Sequence, residues 1–311
     1  MKKNLLLACI FAAAVGSPAA AAGLTVVGVS PGPWLGLELV AFTKATGIAA
    51  RFRPLSPADA ANAPAGADVL LLPPPYMQMA EHAKNLTPYA PVETAHIPDA
   101  AKDDDGDYTA IVMNAGIFAY RGAAQATFAA LAAGKERIIL SAPGQDVDGT
   151  AAMLDISHAA GGDEAGLDYL QQVAGRVTPT SETTAARLAA LSAGPDAVTD
   201  SDLNGACAAG VRRIAIPAAA DGTRSAVAMP LYIARAKGGA ADSRRLIDFL
   251  LSRPAQAALP AQCGIAVRDD LPGSPALAGV TIIWPRWHAV LRGLPGLQAR
   301  WRAIITPVPP A

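Results

Sequence analysis

Hydroxyl and carboxylate side chains recur in four short clusters of this chain, each standing where an apolar run gives way to a helical pattern. They are Ser30-Pro31-Gly32-Pro33, the stretch 141–150, Thr180-Ser181-Glu182 and Thr199-Asp200-Ser201-Asp202. A strand that ends in such groups just before a helix start offers oxygen acceptors and free backbone N–H groups to a small polar ligand. Each cluster alone reads as a helix cap. Four of them, alternating with helices over both halves of the chain, point to one shared cleft. Asp148 and Glu182 could also form an acid–base pair, which needs the carboxyls close together and one pKa raised.

Other chemistry is poorly supplied. The chain has no nucleophile elbow, zinc-binding histidine pair, phosphate loop or dinucleotide fingerprint, and no cofactor is expected. His82, His96, His158 and His288 are scattered and read as surface or helix residues. The acidic run Asp103-Asp104-Asp105 lacks the regular spacing of a calcium loop and reads as a solvated segment. Asp146, Asp148, Glu182, Asp200 and Asp202 crowd the loops of the second half and favour a cationic or amine ligand. Helix starts at Thr150 and Thr183 favour an anion instead. A zwitterion satisfies both, although capping explains the acids equally well. The many Ala, Pro and Leu positions leave room for an apolar, lipid-like ligand.

The elements that position these groups follow from composition and periodicity. Apolar residues make up 52% and charged residues 16% of the 311 residues, enough for a sizeable core and for two lobes of about 100–150 residues each. A net charge of −1 gives no basis for nucleic-acid or polybasic membrane binding. Residues 1–22 have the charged, apolar and small-residue regions of a cleavable secretory signal; acylation at Cys9 would leave almost no apolar region before it. Export would put Cys207 and Cys263 in an oxidising compartment, either joined as a disulfide or buried as separate thiols.

Strands are expected at 24–29, 48–52 and 67–72, the first followed by a helix over 34–45 that Gly47 stops. Residues 108–120 read as one long strand crossing between lobes. In the second half, a strand at 137–140 leads through Gly149-Thr150 into a helix over 151–160, and 177–178 into a helix over 183–192. Ala197-Val198 is a short apolar run that breaks into a polar turn at 199–202, followed by a helix at 203–209 and strands at 211–216 and 225–234. The helix over 287–305 is expected to break at 293–296.

With these pieces assembled, the chain resembles a periplasmic substrate-binding protein of an ABC importer. It is most similar to the type II branch that includes ferric-iron-binding and 2-aminoethylphosphonate-binding proteins. Phe42-Thr43-Lys44-Ala45-Thr46-Gly47-Ile48, Ala67-Asp68-Val69-Leu70-Leu71, Asp148-Gly149-Thr150 and the run from Asp196 to Asp202 carry the resemblance, with Ile247-Asp248-Phe249-Leu250-Leu251-Ser252 and Gln256. It implies a two-lobed α/β fold, each lobe a mainly parallel sheet flanked by helices, joined by crossing strands. The lobes would be 23–115 with 224–285, and 116–223 with 286–311. A small ligand (phosphonate-, amine- or zwitterion-like, or apolar) would be trapped by hinge closure and passed by a monomer to an inner-membrane permease. Its contacts would come from Ser30, Pro31, Pro74, Tyr76, Asn114, Asp146, Asp148, Gly149, Thr150, Ser181, Glu182, Thr199, Asp200, Ser201, Asp202, Ser225 and Tyr232. Ferric binders of this branch carry adjacent tyrosines near the position of Ser201-Asp202-Leu203, and this chain has none there. Iron would then need Asp200, Asp202 and an anion in place of phenolates. An exported hydrolase or transferase, or a sensing module for a membrane receptor, is the alternative on the same fold.

Overall fold

A computed structural model of the chain describes residues 23–305; the signal expected at 1–22, with Cys9, lies outside the described residues. The first lobe opens as β1 (Leu24–Gly28), α1 (Pro33–Thr46), β2 (Ala50–Pro54), α2 (Pro57–Ala61), β3 (Val69–Leu72) and α3 (Tyr76–His82). β1 and β3 are buried along their whole length, as continuous apolar strands covered on both faces must be. Gly47 closes α1 in the left-handed conformation that glycine adopts without strain. The short β4 (Leu86–Thr87) and then β5 (Tyr108–Val112) follow.

The chain crosses through Met113-Asn114-Ala115 into β6 (Gly116–Arg121). Residues 108–120 are therefore two strands in two sheets rather than one long strand. The second lobe continues with α4 (Phe128–Ala133), β7 (Arg137–Ser141), α5 (Val147–Ala160), α6 (Asp163–Val173), β8 (Val177–Thr180) and α7 (Thr184–Ala193). β9 (Ala197–Asp202), α8 (Leu203–Ala208) and β10 (Ile214–Ala215) complete its sheet. Two expectations change here. α5 begins four residues before Ala151 because Asp146 caps it. β9 runs through the supposed polar turn, since Thr199, Asp200 and Ser201 pair with Ala119, Phe118 and Ile117 of β6.

The apolar run from Ser225 is likewise interrupted, giving β11 (Ser225–Val227) and β12 (Leu231–Ala236). Pro230, which lacks an N–H, stands in the gap. α9 (Ser243–Leu251), α10 (Arg253–Ala257), β13 (Thr281–Ile283) and α11 (Trp287–Ile305) end the described chain. α11 is continuous across Pro295, anchored by buried Trp287, Trp301 and Ile305.

The first sheet has the order β2-β1-β3-β12-β4 with β5 also on β12, and the second β10-β6-β9-β7-β8. β1 lies parallel to β2 and β3, and β7 parallel to β8 and β9. Each lobe therefore gathers the ends of its parallel strands at one edge, where loops and helix starts collect. The segments 113–115 and 228–230 run side by side between the lobes, with the Met229 amide donating to Asn114 O at 2.9 Å. β11 and β13 form a separate parallel ribbon, tied to α5 by the Val227 amide donating to Asp155 Oδ1 at 2.7 Å. Cys207 of α8 and Cys263 are joined as a disulfide, with Cα atoms 5.6 Å apart.

Candidate functional site

A cavity of about 360 Å³ lies between the lobes. From the first lobe it takes the loop after β1 (Val29 to Pro33), Pro73 after β3, Val112 and Leu231. The crossings add Asn114, Met229 and Pro230; the second lobe adds Val147 and Asp148 of α5 with Asp202, Asn204 and Gly205 where β9 meets α8. Gln262 and Cys263 complete the lining. Among the described residues, no lysine or arginine lines the cavity.

The first-lobe wall offers backbone. α1 starts at Pro33 after Gly32, whose φ of 88° suits glycine, and no side chain caps its first turn. Its first-turn amides, from Trp34 on because Pro33 has no N–H, are left without a side-chain acceptor. Ser30 is exposed, and its hydroxyl donates to Gly32 O at 3.1 Å.

The second-lobe wall offers carboxylates, and they are held hard. Asp202 caps α8 by accepting from the Gly205 amide at 2.6 Å and also accepts from Asn114 Nδ2 at 2.6 Å. Asn114 Oδ1 in turn accepts from the Asn204 amide at 3.1 Å. Behind Asp148 stands Arg187 of α7, whose side chain is 0% exposed. Its Nη1 is 2.8 Å from Asp146, and its Nη2 is 2.9 Å from Asp148 and 3.4 Å from Asp200. Thr184 donates to Asp148 as well. One guanidinium thus faces three carboxylates, and a buried charge of this kind is tolerated only when paired. Burial first, then the charges of Asp202, Asp200 and Asp146, push the Asp148 carboxyl well above the usual carboxylate range. Burial pushes Asp200 up to about 6 against the opposing pull of Arg187.

Of the residues expected at the site, the cavity brings together Ser30, Pro31, Asn114, Asp148 and Asp202. The others do not line it. Pro74 and Tyr76 follow Pro73 into the start of α3. Asp146 is the cap of α5, accepting from the Gly149 amide and the Ser141 hydroxyl. Gly149 and Thr150 are helical residues; a Cβ at Gly149 would meet Ser141 O at 2.5 Å. The Thr150 hydroxyl is spent on the Gly144 amide and Asp146 O. Thr199, Asp200 and Ser201 are buried inside β9. Ser181 and Glu182 are exposed away from the cavity, so Asp148 pairs with Arg187 and not with Glu182. Ser225 lies in the β11 ribbon, and Tyr232 packs edge-on against Tyr108 with ring centroids 4.8 Å apart.

Sequence reasoning missed Arg187, Asn204 and Met229. Arg187 left one signal: it stands four residues before Leu191 in an otherwise small and apolar helix, on the face that α7 buries. It changes the reading of the crowded acids, because three of the five already share its charge. Asp200, 1% exposed and engaged by Arg187 and the Ser141 amide, is closed to a metal in the cleft.

Two α/β lobes joined by paired crossings over a cleft define the type II periplasmic binding-protein fold, and solved structures share it. AfuA from Actinobacillus pleuropneumoniae, with fructose-6-phosphate bound, superposes with a TM-score of 0.73 at 14% identity, over 92% of this chain and 99% of that one. Iron-bound HitA from Pseudomonas aeruginosa gives 0.70 at 16% identity, over 91% and 99%. No family model matches the chain. A Salmonella typhimurium protein named "Putative 2-aminoethylphosphonate-binding periplasmic protein" is 32% identical over 298 residues, 87% of each chain; its Salmonella typhi namesake is 31% identical over the same shares. The chain belongs to this family of periplasmic substrate-binding proteins of ABC importers. It is a binding protein rather than an enzyme, and it captures a small ligand for delivery to a membrane permease.

Proposed function

We propose that the ligand is a small zwitterion carrying an amine and a phosphonate-type oxyanion, as the names of the Salmonella relatives suggest. The observation that carries this reading is the polarity of the cleft. An uncapped helix start stands on one wall, two carboxyl groups stand on the other, and among the described residues no cationic side chain lines either. The α1 amides and Ser30 would hold the oxyanion through charge-assisted hydrogen bonds. Asp202 and Asp148 would hold the ammonium, positioned by Asn114 and Arg187.

The lobes would close about 113–115 and 228–230, with the β11–β13 ribbon riding on α5. In that division 225–227 and 281–283 leave the share of the first lobe expected from the sequence. The protein would act as a monomer, which light scattering checks.

Calorimetric titration of the mature chain with 2-aminoethylphosphonate, ethylphosphonate and ethanolamine tests the ligand class. The zwitterion should bind about 10- to 100-fold more tightly than either fragment, the worth of one charge-assisted contact. Equal affinity for ethylphosphonate, or no binding of the zwitterion, would overturn the reading.

A further inference from the structure

Away from the cleft, the acidic run and two of the scattered histidines meet. Glu81 and His82 lie on α3, Asp103 on the loop before β5, and His288 at the start of α11. The His82 and His288 rings stack with centroids 5.2 Å apart and planes 17° from parallel. His288 Nε2 stands 3.2 Å from Glu81 Oε2. Even so, that buried oxygen has no hydrogen-bond partner. A buried acceptor without a donor calls for an explanation, and a bound ion is one.

Asp103 is already aimed. Its Oδ2 accepts the amides of Asp105 and Asp107, both at 3.1 Å, which fixes the carboxylate and leaves Oδ1 to a further partner. One ligand atom each from Glu81, Asp103 and His288 lies within 4.8 Å of the other two. Asp105 and Asp107 add negative charge around them. Arg292 is a nearby opposing charge.

We propose that Glu81, Asp103 and His288 form a site for one divalent transition cation of the zinc class, tying α3 and the acidic loop to the start of α11. One imidazole nitrogen with two carboxylates is a donor set that zinc accepts, with water completing the shell, whereas calcium and magnesium prefer all-oxygen sites. None of the three residues lines the cleft, so the site stands apart from the proposed ligand. The other grouping of possible ligands, His96, Asp269 and Asp270, is exposed, and both Asp270 oxygens are engaged by Arg268.

The test is calorimetric titration of the metal-free mature chain with Zn²⁺, with Co²⁺ visible absorption as a second readout of the coordination shell. One equivalent should bind. His288→Ala and Asp103→Asn should each weaken binding by at least about tenfold, Asp269→Asn should leave it unchanged, and Ca²⁺ should not compete. Asp103→Asn keeps an oxygen for the two loop amides, so its loss of metal reads the site even where His288→Ala fails to fold. Absence of saturable binding at micromolar Zn²⁺, or binding that survives Asp103→Asn or disappears in Asp269→Asn, would overturn the proposal.

Discussion

The two walls of the cleft use the same strand–loop–helix unit and finish it in opposite ways. In the first lobe the chain leaves β1 through Ser30-Pro31-Gly32, and α1 begins without a side-chain cap. In the second lobe β7 leads to Asp146, which caps α5, and β9 ends on Asp202, which caps α8. Behind those caps Arg187 binds Asp146, Asp148 and Asp200. The charged wall is thus a hydrogen-bonded block whose acids are mostly satisfied from within. The uncharged wall keeps its donors unspent. Selectivity for the proposed zwitterion would come from this asymmetry, because the rigid side would fix where the cation sits and the open side would accept the anion through backbone.

The comparison can be broken most severely at Arg187. Arg187→Met should cost about 3–5 kcal/mol of stability in urea unfolding, since it leaves buried carboxylates unpaired. A mild effect would mean that the charged wall is not held as described.

The pH dependence of the same block comes next. Asp200 titrates near 3.8 unfolded and at about 6 folded. The folded chain therefore holds a proton between those values that the unfolded chain releases. The stability Asp200 contributes is full below about pH 4 and is lost as pH rises through about 6, by at most about 3 kcal/mol. Measured against Asp200→Asn, the wild-type urea midpoint should fall across that window; a rise would contradict the assignment.

Cys207→Ser with Cys263→Ser removes the covalent tie between α8 and the segment at Cys263, at a cost of about 2–4 kcal/mol in the same assay. Asp202→Asn sharpens the comparison differently. Asparagine caps as well as aspartate, so stability should barely change while affinity for 2-aminoethylphosphonate falls about 10- to 100-fold. The smallest effect belongs to the open wall: Ser30→Ala should change stability by less than about 0.5 kcal/mol, visible only as weaker binding.

Much of the scaffold was legible because local rules decide it. The apolar runs of β1 and β3, Gly47 at the end of α1, and the hydroxyl of Thr183 capping α7 are each determined within a few residues. What was misread depends on distant partners. β9 looked like a turn at Thr199–Asp202 because its polar residues are buried only by pairing with β6 and by Arg187 and Ser141. His82 and His288 do lie on helices as expected, but their stacking has no local signal, since they meet only once α11 returns across the first lobe. The break expected in α11 failed because buried residues at both its ends outweigh Pro295 in the middle.

The disulfide has a mechanical meaning. Cys207 sits three residues after Asn204, whose amide is bound to the crossing residue Asn114. If the lobes close about 113–115 and 228–230 as proposed, it would be a rivet close to the hinge rather than a latch at the mouth. A rivet there would move along a short arc as the lobes swing, so it would leave the opening stroke free while resisting rotation of one lobe about the long axis of the other. Oxidation would then turn a universal joint into a door.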